Sequence, residues 1–284
     1  MIRVWFISLV LLTPSLLQAQ FAEYYIGRDS LQILPTGPYA GLPNPNFNRI
    51  TFLYAHTYTD NPSSNHYHSK GTYSYTGPNL GNDTAVNPFN PSNFLPEGAR
   101  PPLKLGEGSG VFAGKHISGL TPGVAFSNLE MRSVDSLSSA APGSPENILF
   151  VSSNNRWSGL MTDTNLHLRV ISLSNGLSIA DSAGNTILAA AGDTFDLGSG
   201  SSLNFTPIFV ADPNIAPIGT NLSARLSVFD SGTGNNGNPW LDGGEFVFNF
   251  QVASVPEPGS IALCSLALVT GGIVAWRQRK SRQK

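Results

Sequence analysis

No long window of this 284-residue chain keeps a 3.6-residue apolar period free of glycine or proline. Its 29 glycines and 21 prolines, set among abundant Ser, Asn and Thr, cut the body into short segments. Long helices are thereby disfavoured, and strands joined by turns remain. Period-two apolar rows support that choice. Phe52, Tyr54, His56 and Tyr58 share one face of a strand read over 50–59, and 66–75 reads as its partner. Leu166, Leu168 and Val170 alternate with His167, Arg169 and Ile171 in a further strand. Leu203, Phe205, Pro207 and Phe209 form another row. So do Leu222, Ala224, Leu226 and Val228, and so do Phe246, Phe248, Phe250 and Val252. Pro207 has no amide to donate, which predicts an edge strand or a bulge there. Residues 124–134 and 148–153 are further strand candidates, 20–48 reads as an irregular lead-in, and 76–102 as a long ordered loop. Rows facing a common core imply an all-β body, a β-sandwich or jelly roll, over residues 20–254.

The two ends carry a different chemistry. Met1-Ile2-Arg3 is a basic n-region and Val4–Leu12 an apolar h-region. Leu17-Gln18-Ala19 ends on the small residue a signal peptidase needs, so cleavage is expected after Ala19. The alternative, an N-terminal membrane helix, is interrupted early by Thr13-Pro14-Ser15. At the other end Val255-Pro256-Glu257-Pro258 precedes an uncharged apolar run, Ile261–Trp276, of 16 residues. That length lies near the short end of what spans a bilayer as a single helix. Arg277, Arg279, Lys280, Arg282 and Lys284 follow, and such a cluster stays cytoplasmic. Pro-Glu-Pro, a short span and a basic tail in that order resemble the PEP-CTERM sorting signal of exported bacterial proteins. The resemblance implies an exosortase-type processing enzyme as a partner, and a body exported across the inner membrane to the cell surface or extracellular matrix. A plain membrane anchor that stays in place is the alternative.

Composition narrows the function classes. Charged residues are 12% of the chain and the formal net charge is -2, so no basic stripe offers a footprint for nucleic acid. The single cysteine, Cys264, lies in the C-terminal apolar run, so no disulfide can staple the body. Neither a G-x-S-x-G elbow nor an H-E-x-x-H helix occurs, and phosphate-cradling signatures are absent, so the reading is non-enzymatic.

The histidines hold the distinct chemistry. Four of the five, His56, His66, His68 and His116, fall between residues 56 and 116, and His167 opens a later strand. In an extended strand His66 and His68 project from one face about 6.5–7 Å apart. Two imidazoles so placed can converge on a metal about 2 Å from each nitrogen. His56, on the neighbouring candidate strand, can supply a third ligand, whereas His116 or His167 would have to arrive through the tertiary fold. Imidazoles suit zinc, copper or nickel. Asp60, Asp83, Glu97, Glu107 and Glu130 are the nearby oxygen donors. The competing reading is a scatter of surface or aromatic-cluster histidines. The Gly-rich stretch from Asp230 to Asn238, with Asp242 and Glu245 beyond it, is a weaker candidate for calcium, and a solvated connection is the blander reading.

Longer stretches carry a second resemblance. They are His66-Tyr67-His68 with 71–77, Leu95-Pro96-Glu97, 108–114, 167–177, 191–195 and 203–207. Together they are similar to the PEP-CTERM proteins repressed by the zinc-uptake regulator. That similarity implies production under zinc scarcity and zinc capture or handling outside the cell. The carry-over reaches His66, His68 and His167, with His56 and His116 as further candidates. The alternative from another class is a structural or adhesive matrix protein associated with exopolysaccharide, with Trp157 and Trp240 stacking on sugars.

Overall fold

The computed structural model of the protein describes residues 21–77 and 85–253. Residues 1–20, where a signal peptide with cleavage after Ala19 is expected, Asp83, the Val255–Pro258 motif and the apolar run 261–276 lie outside them. Among the described residues no helix is long and apolar enough to cross a membrane.

The body is β-rich. In chain order its strands are Tyr24–Arg28 (β1), Ile50–His56 (β2), His66–Ser69 (β3), Ser74–Thr76 (β4), Ala85–Asn87 (β5) and Phe94–Leu95 (β6). Leu103–Glu107 (β7), His116–Ser118 (β8), Met131–Ser133 (β9), Asn165–Leu173 (β10), Leu177–Ala180 (β11) and Thr186–Leu188 (β12) follow. Thr194–Ser199 (β13), Asn204–Phe205 (β14), Ile208–Ala211 (β15), Asn221–Asp230 (β16) and Glu245–Val252 (β17) complete them. A smaller sheet runs β14-β9-β1-β2-β3, and a larger one runs β12-β11-β15-β8-β7-β17-β16-β10-β13 with β6 added to β17. β4 and β5 pair as a separate ribbon.

Chain connectivity fixes the shape of the larger sheet. Its end strands β12 and β13 are consecutive, joined by residues 189–193, and they lie in contact. Such a link spans at most roughly 20 Å. Nine strands laid flat would separate the ends by about 38 Å. The sheet must therefore curl, and it is barrel-like.

Both sheets bury a face in one core. Phe52 of β2 stacks on Phe246 of β17 with centroids 4.0 Å apart, and Tyr24 of β1 meets Phe248 edge-on at 5.4 Å. The Tyr24 hydroxyl donates to the Phe126 carbonyl at 2.8 Å, so its polar end is satisfied where it is buried. A second cluster, including Tyr25, Leu53, Tyr67, Leu149 and Trp157, covers the opposite face of the smaller sheet. The expected rows on β10, β16 and β17 all appear, with their apolar members buried.

Several expectations need correction. The partner strand read over 66–75 stops at Ser69, the strand read over 124–134 is confined to Met131–Ser133, and the stretch 76–102 holds β5 and β6. Residues 24–28 are a central strand rather than lead-in: Tyr24 and Ile26 face one cluster and Tyr25 the other. A strand covered on both faces loses the alternation that would reveal it. Residues 148–153 hold no strand. Pro145–Phe150 is a short helix (α1), capped by the Ser144 side chain, which accepts from the Asn147 amide at 3.2 Å, with Pro145 in its first turn. The row from Leu203 to Phe209 belongs to two strands in different sheets, β14 and β15, and Pro207 falls at the break.

Candidate metal centre

The register between β2 and β3 builds the site. Pairing places His56 opposite His66, and Tyr54 opposite His68. The three imidazoles therefore leave one face of the sheet. Along β2 that face changes from Phe52, in the core, through Tyr54 to His56, at the rim. One ligand atom from each of His56, His66 and His68 lies within 4.8 Å of the others. The ring centroids of His56 and His68 are 4.1 Å apart, and those of His66 and His68 4.9 Å.

Glu97 closes over this group. It sits two residues beyond β6, which pairs in parallel with β17 and so carries the chain back to the histidines. Glu97 Oε1 meets His68 Nδ1 at 2.7 Å, and Oε2 meets His56 Nε2 at 3.3 Å. Lys70 is buried and places Nζ 2.6 Å from Glu97 Oε1, while also donating to the Ser92 carbonyl at 2.9 Å. Burial alone would raise the Glu97 carboxyl; the hydrogen bonds from Lys70 and His68 outweigh it and hold the group below its ordinary value. For His56, burial and then the nearby His68 lower the pKa, against the opposing pull of Glu97.

The hydrogen bonds assign the tautomers. The Ser64 carbonyl, 2.7 Å from His66 Nδ1, can only accept, so that nitrogen carries a proton. Glu97 is a carboxylate, so His68 Nδ1 is also a donor. In the neutral rings both remaining nitrogens are lone pairs, yet His66 Nε2 and His68 Nε2 stand 3.0 Å apart. Two lone pairs cannot face each other at that distance without a proton or a cation between them. Tetrahedral zinc with nitrogens at 2.0–2.1 Å holds its ligands roughly 3.3 Å from one another. The outward nitrogens of His66 and His68 are held by a carbonyl and a carboxylate, the outer tethers typical of metal-bound imidazoles. The donor set thus fits a divalent cation that accepts nitrogen.

The other sequence candidates lie elsewhere. His167 is on β10, where Nε2 bonds the Ser231 hydroxyl at 2.7 Å and the ring stacks on Phe229 at 4.8 Å. His116 is buried on β8, opposite Glu107 in register, with Nδ1 unpartnered. Neither joins the group, because both belong to the larger sheet while β2 and β3 are in the smaller one. Among the acids Glu130 pairs with Arg132 at 2.9 Å, and Asp60 lies outside the group.

In the Gly-rich stretch Asp230 accepts from the backbone amides of Asn165, Gly232 and Trp240 at 2.8–2.9 Å. Asp242 pairs with Arg169, and Glu245 with Arg225. Its acids thus face amide donors and guanidinium groups, the arrangement of a loop that closes on itself.

Lys70 escaped the sequence reading, although its signal was present: His66, His68 and Lys70 occupy alternate positions along an extended segment. No protein-family model, curated protein or solved structure matches this chain.

Proposed function

We propose that this is an exported, non-enzymatic zinc-binding protein, with His56, His66 and His68 as ligands and Glu97 and Lys70 as their support. One observation carries the reading: two imidazole nitrogens, each a lone pair when its ring is neutral, stand 3.0 Å apart beside a third imidazole. Zinc supplies the positive charge that such a pair needs. In this reading the body is a sandwich of the smaller sheet on the curled larger one, carried outward by the signal segment and the PEP-CTERM terminus. Binding fits better than catalysis, since Glu97 is held by Lys70, His68 and His56 and makes a poor base. Calorimetric titration of the metal-free protein with zinc tests it. Saturable binding that His66→Ala and His68→Ala each weaken by at least about a hundredfold is the expected result; binding indifferent to both substitutions overturns the ligand set.

The matrix-protein reading has less support. Trp157 is buried, and Trp240 is partly buried with the Arg28 guanidinium 4.2 Å over its ring. The two tryptophans that would stack on sugars are thus engaged within the protein.

A further inference from the structure

An open cleft of about 860 Å³ reaches the imidazole group through His68, which lines it together with Glu97, the carboxylate bound to His68 Nδ1. That volume is in the range of small-molecule sites, about 300–1,000 Å³. The charges around the cleft are unequal. Glu97 is the sole carboxylate among its lining residues, and Lys70 neutralises it at 2.6 Å. Arg100 also lines the cleft, is exposed, and forms no ion pair with an acid among the described residues. Its guanidinium lies 5.1 Å from the Phe126 ring, which stacks on Tyr54, the residue that meets His56 edge-on. That ring contact and a long hydrogen bond from Arg100 Nη1 to the Glu97 backbone carbonyl at 3.5 Å hold Arg100 beside the cleft, and no carboxylate neutralises it among the described residues. Asn221 and Asn249 also line the cleft, and Asn221 Oδ1 accepts from Gln251 Nε2 at 3.2 Å.

Three neutral imidazoles leave the charge of a divalent ion uncompensated, and three protein ligands leave a tetrahedral position open. We infer that the cleft binds a small molecule bearing carboxylate groups, one oxygen completing the coordination of the metal and another paired with Arg100. This rests on the zinc reading above and adds the chemical class of a second ligand. A planar guanidinium suits a carboxylate because it can present two parallel N–H donors. Zinc held this way would be taken up or handed on as a chelate rather than as the bare ion.

Cobalt(II) substitution gives a direct readout, because its visible d–d bands respond to coordination number and ligand type. The cobalt-loaded protein is titrated with malonate and the bands are followed. The expected result is a saturable spectral change without loss of cobalt. Arg100→Gln is expected to weaken malonate binding about tenfold, equivalent to one charge-assisted hydrogen bond of roughly 1.4 kcal/mol, and Arg100→Lys to restore part of it. Bands that malonate leaves unmoved, malonate that merely strips the cobalt, or an Arg100→Gln variant that binds malonate as tightly as the parent would each overturn the cleft assignment while leaving the metal site intact. If no cobalt band forms at all, the metal reading fails and the cleft ligand fails with it.

Discussion

His66 and His167 are both strand histidines beside aromatic rings, yet their surroundings use them in opposite ways. His66 is tethered through Nδ1 to a carbonyl and points Nε2 at another imidazole. His167 spends Nε2 on a serine hydroxyl and lays its ring flat on Phe229. The difference lies in how many donors converge. Opposite His66 the register supplies His56, with His68 two residues on, whereas His167 stands between Phe229 and Asp196 and gives its ring to Phe229 and the Ser231 hydroxyl. One donor across the strand is not enough: Asp196 faces His167 and Glu107 faces His116, and neither pair gathers a third ligand atom.

The largest expected effect separates these two positions. His66→Ala or His68→Ala is expected to weaken zinc binding by at least about a hundredfold, the scale of losing one well-formed ligand interaction of roughly 3 kcal/mol. His167→Ala and His116→Ala should leave it unchanged by calorimetry. A loss shared equally by all four variants would break the distinction. Next in size is Glu97→Gln, which keeps the shape but removes the charge that orients His68 and His56. Losing an outer partner of this type costs about 10- to 100-fold in metal affinity.

Acid sharpens the comparison further. His56 is lowered from its ordinary value of 6.5, so the unfolded chain binds its proton more readily than the folded one. Its contribution to stability is complete above pH 6.5 and is lost as pH falls below that value. Glu97, also lowered, extends the loss below 4.5. Glu23 has the opposite sign: burial raises its carboxyl to about 7, against hydrogen bonds from the Asn128 and Phe126 backbone, so its contribution is present below 4.5 and lost as pH rises through 7. Melting curves of the metal-free protein should therefore show His56→Ala flattening the acid side and Glu23→Gln raising the melting temperature at pH 8 more than at pH 4. Parallel shifts at both pH values would contradict these assignments.

The smallest effect concerns the back of the histidine-bearing sheet. Ser144→Ala removes the cap of α1, whose Leu149 packs in the cluster behind β2, at a cost of about 1 kcal/mol. Hydrogen exchange should quicken across β1–β3 and not across β16 and β17. Uniform quickening would mean that the two sheets open together.

The legible parts of this molecule were those with local periodicity. β10, β16 and β17 bury one face and show alternation, so their rows could be read directly. β1 could not be read that way, because Tyr24 and Tyr25 are both buried, in separate clusters. The helix at 145–150 was hidden by the β-rich context, although Ser144, Pro145 and Glu146 spell a helix start. In the candidate site, two residues of spacing gave His66 and His68, and the adjacent strand gave His56. Glu97 stood among five acids that sequence alone could not rank, because its placement depends on the parallel pairing of β6 with β17, some 150 residues away. Lys70 follows from extending the same alternation two residues past His68.

X-ray absorption at the zinc edge of the loaded protein tests the centre most directly. Three imidazole nitrogens at about 2.0–2.1 Å are the predicted inner shell, falling to two in His56→Ala. An oxygen-dominated shell without imidazole scattering, or one that His56→Ala leaves unaltered, would contradict it.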